Sequence, residues 1–117
     1  VGEAARACVP LLAGSDAGNP VTFHGPALIH ELELLARAGV SLPEVLKAAT
    51  SRPADRLGEK GLGRIEEGAV ADLVVLSADP LADVRAYREV QGVFVGGRKI
   101  ALDKAFHTSS GPWRPDR

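Results

Sequence analysis

The stretch L-L-A-G-S-D-A-G-N-P, residues 11–20, decides how the first half of this chain is interpreted. An apolar run at residues 11–13 lies between Pro10 and Gly14 without polar alternation, which is typical of a strand buried on both faces of a parallel sheet. A short buried helical turn is the alternative, because periodicity cannot distinguish the two in so short a run. Asp16 follows at the point where turn-forming residues begin.

The residues on either side of this run predict helices. Residues 2–9 form a short alanine-rich helical segment. A second helix is predicted to begin at Pro26 and to end at Gly39, because leucines recur there on one face and glycine favours the position after a helix. Ser41 and Glu44 have the spacing of a capping box, which predicts the start of a third helix.

The second half of the chain predicts a small antiparallel β module. A short helical piece at residues 54–57 ends the helical half. Strands are predicted at residues 71–76, 90–95 and 99–101. Gly96 and Gly97 separate the last two strands as a two-residue hairpin turn would. Asp72 interrupts an apolar strand and is interpreted as structural, with its carboxylate hydrogen-bonded to a neighbouring backbone turn.

Composition limits the classes of partner. The net charge is -1, and the aromatic residues are 3 Phe, 1 Trp and 1 Tyr. The sequence has no basic run with interleaved aromatics, so no nucleic-acid partner is expected. No apolar stretch reaches the ~20 residues that span a bilayer, so no membrane partner is expected. Cys8 is the only cysteine, which excludes an intrachain disulfide and a cysteine-based structural zinc site.

The sequence also predicts that this chain is part of a larger fold. A strand that is apolar on both faces needs parallel neighbours, and the sequence supplies none beside residues 11–13. Its first residue is valine and residues 2–7 are already helix-forming, so the chain is expected to begin inside an element. We expect it to be marginally stable or to self-associate as a homo-oligomer when isolated. No signal segment is recognised, and a cytoplasmic location is the expectation.

Asp16 is the strongest candidate for chemistry. It lies at the carboxyl end of the predicted strand, in a loop before a helix, where α/β folds build their active sites. A carboxylate there can bind a metal ion and act as general base on water. An N-cap or a local turn is the alternative. His24, in the same loop, is either an exposed loop histidine or a substrate contact.

Five ordered motifs resemble the end of metal-dependent amidohydrolases. The first is the loop G-S-D-A-G-N-P with F-H-G and H-E-L-E-L-L-A-R-A-G, within residues 14–39. The others are A-A-T-S-R-P-A-D-R-L-G at 48–58, G-R-I-E-E-G-A-V-A-D-L-V-V-L at 63–76, D-P-L-A-D-V at 79–84 and V-F-V-G-G-R at 93–98. Each is weak alone, and the collinear set over residues 10–101 is specific. The nearest branch is imidazolonepropionase-like and Xaa-Pro dipeptidase-like.

The resemblance implies an α/β fold, namely a (β/α)8 barrel with a small β-sandwich. Residues 1–59 would be the last strand and helices of the barrel. Residues 60–102 would be part of the sandwich, and residues 103–117 a polar tail. With ~250 residues typical of such a barrel, the chain would hold an incomplete fold.

The resemblance also implies a reaction and the residues that serve it. It implies hydrolysis of amide or cyclic amide C–N bonds by a metal-activated water, with a divalent metal, zinc, in the complete enzyme. Asp16 would bind the metal and carry a proton from the hydrolytic water. His24 and Asn19 would contact the small amide or dipeptide substrate.

The motifs that hold most of the metal in the family are missing from this sequence. The His-x-His pair, the carboxylated lysine and the later histidine ligands are absent. A single carboxylate cannot hold a catalytic zinc ion, which usually has three protein ligands. The chain alone is therefore predicted to be inactive. The alternatives are an Xaa-Pro dipeptidase of the same superfamily, or a non-catalytic remnant that serves as an interaction module.

Overall fold

A computed structural model describes residues 1–7, 9–19 and 22–101. Cys8 and the predicted polar tail, residues 103–117, lie outside the described residues. In chain order the helices are α1 (Gly2–Arg6), α2 (Pro26–Arg37), α3 (Leu42–Ala49), α4 (Ser51–Leu57) and a 3-10 helix (Val84–Arg88). The strands are β1 (Leu73–Leu76), β2 (Val90–Val95) and β3 (Arg98–Ile100).

The main core lies between α2 and α3. We call its five buried residues the helical core: Leu32, Leu35, Val40, Val45 and Ala48. Val45 and Ala48 are 0% exposed, and Leu32 and Leu35 are 3% and 4% exposed. Leu32 and Leu35 lie on the face of α2 that the leucine spacing predicts, and burial of the apolar side chains between α2 and α3 stabilises the two helices against each other.

The predicted ends of α2 are confirmed. Pro26 is the first residue of the helix, where its missing N–H costs no hydrogen bond. Gly39 follows the helix with φ of +88°, a conformation that glycine adopts without steric cost. The main-chain N–H of Val40 then donates to the carbonyl of Leu35 at 3.1 Å, which turns the buried Val40 side chain back into the helical core.

The predicted capping box at the start of α3 is wrong. Ser41 is the N-cap residue, but its side chain makes no capping hydrogen bond. The Glu44 carboxylate is instead bonded to Lys47, at 3.0 Å, and to Arg52 at the start of α4. These two cationic partners hold the Glu44 carboxylate away from the N-cap. The hydrogen bond from Arg52 and, to a smaller extent, the one from Lys47 lower the pKa of the Glu44 carboxyl.

The predicted strand at residues 11–13 is also corrected, because the structure forms no strand there. Strand hydrogen bonds need a second strand, and none of the described strands lies beside this segment. The N–H of Ala13 donates instead to the carbonyl of Ala48, in α3, at 2.9 Å. Leu11 and Ala13 are packed against the helical core, whereas Leu12 is 48% exposed.

The β module of the second half is confirmed as a three-stranded antiparallel sheet in the order β1-β2-β3. Gly96 and Gly97 form the predicted hairpin turn, with φ of +54° and +77°. The Asp72 carboxylate accepts from the N–H of Gly96 at 2.7 Å, which confirms its predicted structural role. Because Asp72 serves the turn, β1 begins two residues later than predicted, at Leu73 rather than at residue 71.

Contacts at Arg88 and at Gly63 help to join the helices to the second half of the chain. The Arg88 guanidinium, on the 3-10 helix, makes two hydrogen bonds to the Glu33 carboxylate, on α2, at 2.6 and 2.8 Å. At Gly63 the main chain passes so close to α3 that a Cβ would lie 2.3 Å from the carbonyl oxygen of Thr50. Gly63 also has φ of +70°, so both space and conformation require glycine.

The longest described helix, α2, has 12 residues. Within the part of the chain that the structure describes, we find no helix with the length and apolar character needed to cross a membrane.

Candidate functional site

Asp16 lies in the segment that connects α1 to α2, and residues 14–25 of this segment are here called the Asp16 loop. Its φ is +48°, and among residues 1–7, 9–19 and 22–101 it is the one non-glycine residue with positive φ. Most side chains are crowded in this conformation, whereas aspartate tolerates it because its short carboxylate can hydrogen-bond locally. The residue is exposed, so the loop presents its carboxylate to solvent.

Asp16 does not cap α2 in the structure. The N-cap of α2 is Gly25, and no side chain makes a capping hydrogen bond there. Within the described residues, no main-chain N–H donates to the Asp16 carboxylate either. The positive φ of Asp16 therefore serves neither the helix end nor a side-chain-to-backbone turn of its own.

Asn19 is the hydrogen-bond partner of Asp16. Its Nδ2 atom donates to Oδ2 of Asp16 at 2.6 Å and to the main-chain oxygen of Asp16 at 3.2 Å. The same amide group therefore holds both the side chain and the main chain of one residue. The other carboxylate oxygen, Oδ1, receives no hydrogen bond from any of the described residues.

His24 lies over the turn that follows Asp16. A Cβ at Gly18 would be 3.6 Å from Nε2 of His24, and Gly18 itself has φ of +110°. The N–H of Gly18 donates to the carbonyl of Thr22 at 3.2 Å, and the N–H of Thr22 donates to the carbonyl of Asn19 at 3.1 Å. The loop thus brings together the three residues that the sequence singles out, namely Asp16, Asn19 and His24.

Other candidate residues lie outside this loop. His30 is on α2, with its Nδ1 atom 3.9 Å from Oε2 of Glu33. Asp72 belongs to the hairpin already described, and His107 lies outside the described residues. Neither His30 nor Asp72 belongs to the Asp16 loop.

The sequence did not identify the Glu33–Arg88 pair. Glu33 is 7% exposed, which is rare for a carboxylate without a partner. The hydrogen bonds from Arg88 lower the pKa of the Glu33 carboxyl, while burial opposes that change. A glutamate next to Leu32 and Leu35, on the buried side of α2, was the available signal. Its partner is 55 residues away and has no local signature.

The described residues do not make a metal site by themselves. Catalytic zinc usually takes three protein ligands from histidine, cysteine, aspartate and glutamate. Across residues 1–7, 9–19 and 22–101, we find no group of three or more such side chains placed to hold a metal ion. Asp16 offers one oxygen-donor group of the type that binds a divalent metal, and the histidine of the loop, His24, lies next to Gly18.

Comparisons with known sequences identify one protein family. The pattern of the amidohydrolase family matches residues 1–101 of the 117. An ochratoxinase from Aspergillus niger is 31% identical over 97 residues, which cover 79% of this chain and 19% of that protein. The chain therefore spans about a fifth of the length of the curated relatives it matches.

Solved structures agree with the sequences. A molinate hydrolase superposes with a TM-score of 0.81 and 27% identity, over 97% of this chain and 27% of that one. A Xaa-Pro dipeptidase with methionine bound in its active site superposes with a TM-score of 0.78 and 27% identity, over 86% of this chain and 24% of that one. The helices and the small sheet described above thus have the arrangement found in a part of those hydrolases.

The order of the motifs, the position of Asp16 in its loop and these comparisons lead to one assignment. The chain corresponds to a part of a longer protein fold, and it belongs to the amidohydrolase family.

Proposed function

We propose that this chain contributes Asp16 to the catalytic centre of a metal-dependent hydrolase that cleaves amide C–N bonds. The observation that carries the proposal is the conformation of Asp16. It is a solvent-exposed carboxylate, held at a positive φ that no helix cap requires, in a chain of the amidohydrolase family. Unusual backbone conformations of this kind collect at functional sites, where the surrounding contacts hold them in place.

The chemistry that Asp16 can perform is proton transfer. As water attacks the carbonyl carbon, a C–O bond forms and the carboxylate accepts one proton from that water. When the C–N bond breaks, the same proton passes to the departing nitrogen, which leaves as a neutral amine. The carboxylate is thereby restored. The exposure of Asp16 leaves room for water and substrate at this position.

The divalent metal of the complete enzyme, zinc by our proposal, would polarise the carbonyl and the water. The described residues contain no group of three or more side chains placed to hold a metal ion, so ligands that complete a site with Asp16 would come from outside them. We propose that residues 1–59 belong to the end of a (β/α)8 barrel and that the β1-β2-β3 sheet belongs to a β-sandwich. This division near residue 59 remains a proposal about the complete fold.

The proposed substrate is a small amide or a dipeptide. The similar Xaa-Pro dipeptidase acts by name on a peptide bond, and the similar ochratoxinase and molinate hydrolase are also named as degrading small molecules. His24 is the proposed substrate contact, because its imidazole is exposed beside the loop that carries Asp16. An imidazole there can donate to the substrate carbonyl or carboxylate.

The experiment assays the complete protein that contains this chain on Xaa-Pro dipeptides and on N-acyl amino acids, with release of free amine as the readout. We expect hydrolysis that stops when a chelator removes the metal and returns when zinc is added. The isolated chain, residues 1–117, is the matched comparison and should be inactive. Hydrolysis that survives complete metal removal, or activity of the isolated chain, would contradict the proposal.

The non-catalytic alternative makes a different prediction in the same assay. An interaction module would leave the complete protein without hydrolase activity on every amide tested, with or without added zinc. We expect His24→Ala to raise KM by about tenfold with a smaller effect on kcat, because lost ground-state contacts act mainly on binding.

A further inference from the structure

We infer that Asn19 is a positioning residue that fixes which oxygen of Asp16 performs the chemistry. This inference rests on the proposed function of Asp16, but the contacts that carry it are independent of any substrate. The sequence alone assigns Asn19 to substrate binding. The structure places its amide nitrogen on Asp16.

Both N–H donors of the Asn19 side chain are directed to Asp16. An asparagine NH2 group has two N–H donors. One acceptor is Oδ2 of Asp16, at 2.6 Å, and the other is the main-chain oxygen of Asp16, at 3.2 Å. With both contacts made, Nδ2 has no further donor for a substrate. The donor capacity of Asn19 is thus directed to the carboxylate and the main chain of Asp16.

The double contact also fixes the orientation of the carboxylate. With a hydrogen bond to Oδ2 alone, the Asn19 amide could follow the Asp16 carboxylate as that carboxylate turned. Because the same nitrogen also holds the main-chain oxygen, rotation of the Asp16 side chain would break one of the two contacts. Asp16 makes both contacts while its own main chain is held at a left-handed φ of +48°. Oδ1 is then the oxygen left to accept the proton.

Asn19 is itself held by the turn. Its main-chain oxygen accepts from the N–H of Thr22 at 3.1 Å, and Gly18 donates to the carbonyl of Thr22 at 3.2 Å. A parallel bridge also links Ala17 to Asn19. The asparagine therefore does not depend on substrate for its position. A preorganised group of this kind lowers the cost of reaching the reactive geometry.

Asparagine at position 19 fits the positioning role better than aspartate, glutamine or alanine would. Aspartate at position 19 has the same shape, but it lacks the N–H donors and would place a second negative charge against Oδ2. Glutamine keeps the donors on a longer side chain. Alanine removes the contact without adding charge. These three substitutions therefore separate the loss of a donor from the addition of a charge.

The test measures kcat and KM of the complete protein for Asn19→Ala, Asn19→Asp and Asn19→Gln. We expect Asn19→Ala to lower kcat by about 10- to 100-fold with KM changed by less than about threefold, since a misplaced catalytic group acts on the transition state. Asn19→Asp should lose at least as much. Asn19→Gln should recover part of the loss. Gln91→Ala, which truncates an exposed carboxamide on β2, is the matched control and should leave both constants unchanged.

A crystal structure of the complete Asn19→Ala protein supplies a readout besides activity. We expect the Asp16 carboxylate to leave its single orientation and to occupy more than one rotamer, while the helical core stays unchanged. An Asp16 side chain that keeps its orientation without Asn19 would overturn the inference. A rise in KM with kcat unchanged would do the same, because it would return Asn19 to substrate binding.

The outcome for Asp16→Asn separates this inference from the proposed function. If Asp16→Asn keeps full activity, the proposed function fails and Asn19 has no catalytic group to position. If Asp16→Asn removes activity while Asn19→Ala keeps kcat, the proposed function stands and the inference about Asn19 is overturned.

Discussion

The helical core and the Asp16 loop are stabilised in opposite ways. In the core, Val45 and Ala48 are 0% exposed and apolar contacts between α2 and α3 hold the helices together. In the loop, Asp16 and Asn19 are exposed and their contacts are hydrogen bonds across three residues. The core therefore controls the free energy of unfolding, whereas the loop can change its chemistry at little cost to the fold. Substitutions in the two regions should separate these effects.

The largest expected effect on stability comes from the core. Leu35→Ala should lower the free energy of unfolding by about 3 kcal/mol, because it removes a side chain that is 4% exposed and leaves a cavity. Leu34→Ala is the matched control on the same helix, since Leu34 is 44% exposed, and it should cost less than about 1 kcal/mol. Urea denaturation measures both. Equal losses would mean that the α2–α3 contact does not hold the fold.

The Glu33–Arg88 pair should give the next largest effect. Arg88→Ala leaves a carboxylate that is 7% exposed without its partner, and we expect a loss of about 2 kcal/mol. Replacing both residues with leucine should restore most of that loss, because no buried charge then remains. Arg85→Ala, which breaks an exposed pair with Asp83, should give no resolvable change. If the double variant were as unstable as Arg88→Ala, the desolvated charge would not be the cause.

The pH dependence of stability tests the same pair. The pKa of Glu33 is lowered below its ordinary value of 4.5, chiefly by the hydrogen bonds from Arg88. A group with a depressed folded pKa adds stability above its unfolded pKa, and that stability is lost as pH falls through the folded pKa. We therefore expect the free energy of unfolding to fall as pH drops below 4.5. Glu33→Gln should show a shallower fall than the parent, and identical profiles would contradict this assignment.

The smallest effect on stability should come from the loop. Asp16→Gly removes the exposed carboxylate and replaces it with the residue that tolerates φ of +48° best. The free energy of unfolding should change by less than about 1 kcal/mol. Leu35→Ala in the same denaturation series provides the reference for a large loss. A loss from Asp16→Gly as large as that from Leu35→Ala would show that Asp16 supports the fold.

Local signals predicted much of the fold. Pro26 and Gly39 set the ends of α2, and Gly96 with Gly97 set the hairpin, because each acts within its own few residues. The structural role of Asp72 followed from one carboxylate beside a turn. Such features depend on the nearest neighbours along the chain, so one sequence is enough to identify them.

Contacts between distant residues could not be predicted. The run at residues 11–13 was expected to be a strand because of its composition, but a strand also needs a partner, and Ala13 bonds to α3 instead. The Ser41–Glu44 capping box failed because Arg52 competes for the Glu44 carboxylate. At the candidate site, the sequence located Asp16, Asn19 and His24 in one loop. It gave neither the positive φ of Asp16 nor the use of both Asn19 donors.

The comparison between core and loop is tested most directly by Asp16→Asn in the complete protein. Asparagine has the shape of aspartate and tolerates a positive φ, so the loop should keep its conformation. We predict that kcat/KM for amide hydrolysis falls by about 100-fold or more, because the carboxylate that accepts the proton is gone. The free energy of unfolding, measured on the same sample, should change by less than about 1 kcal/mol. A kcat/KM that stays within about threefold of the parent would contradict the account.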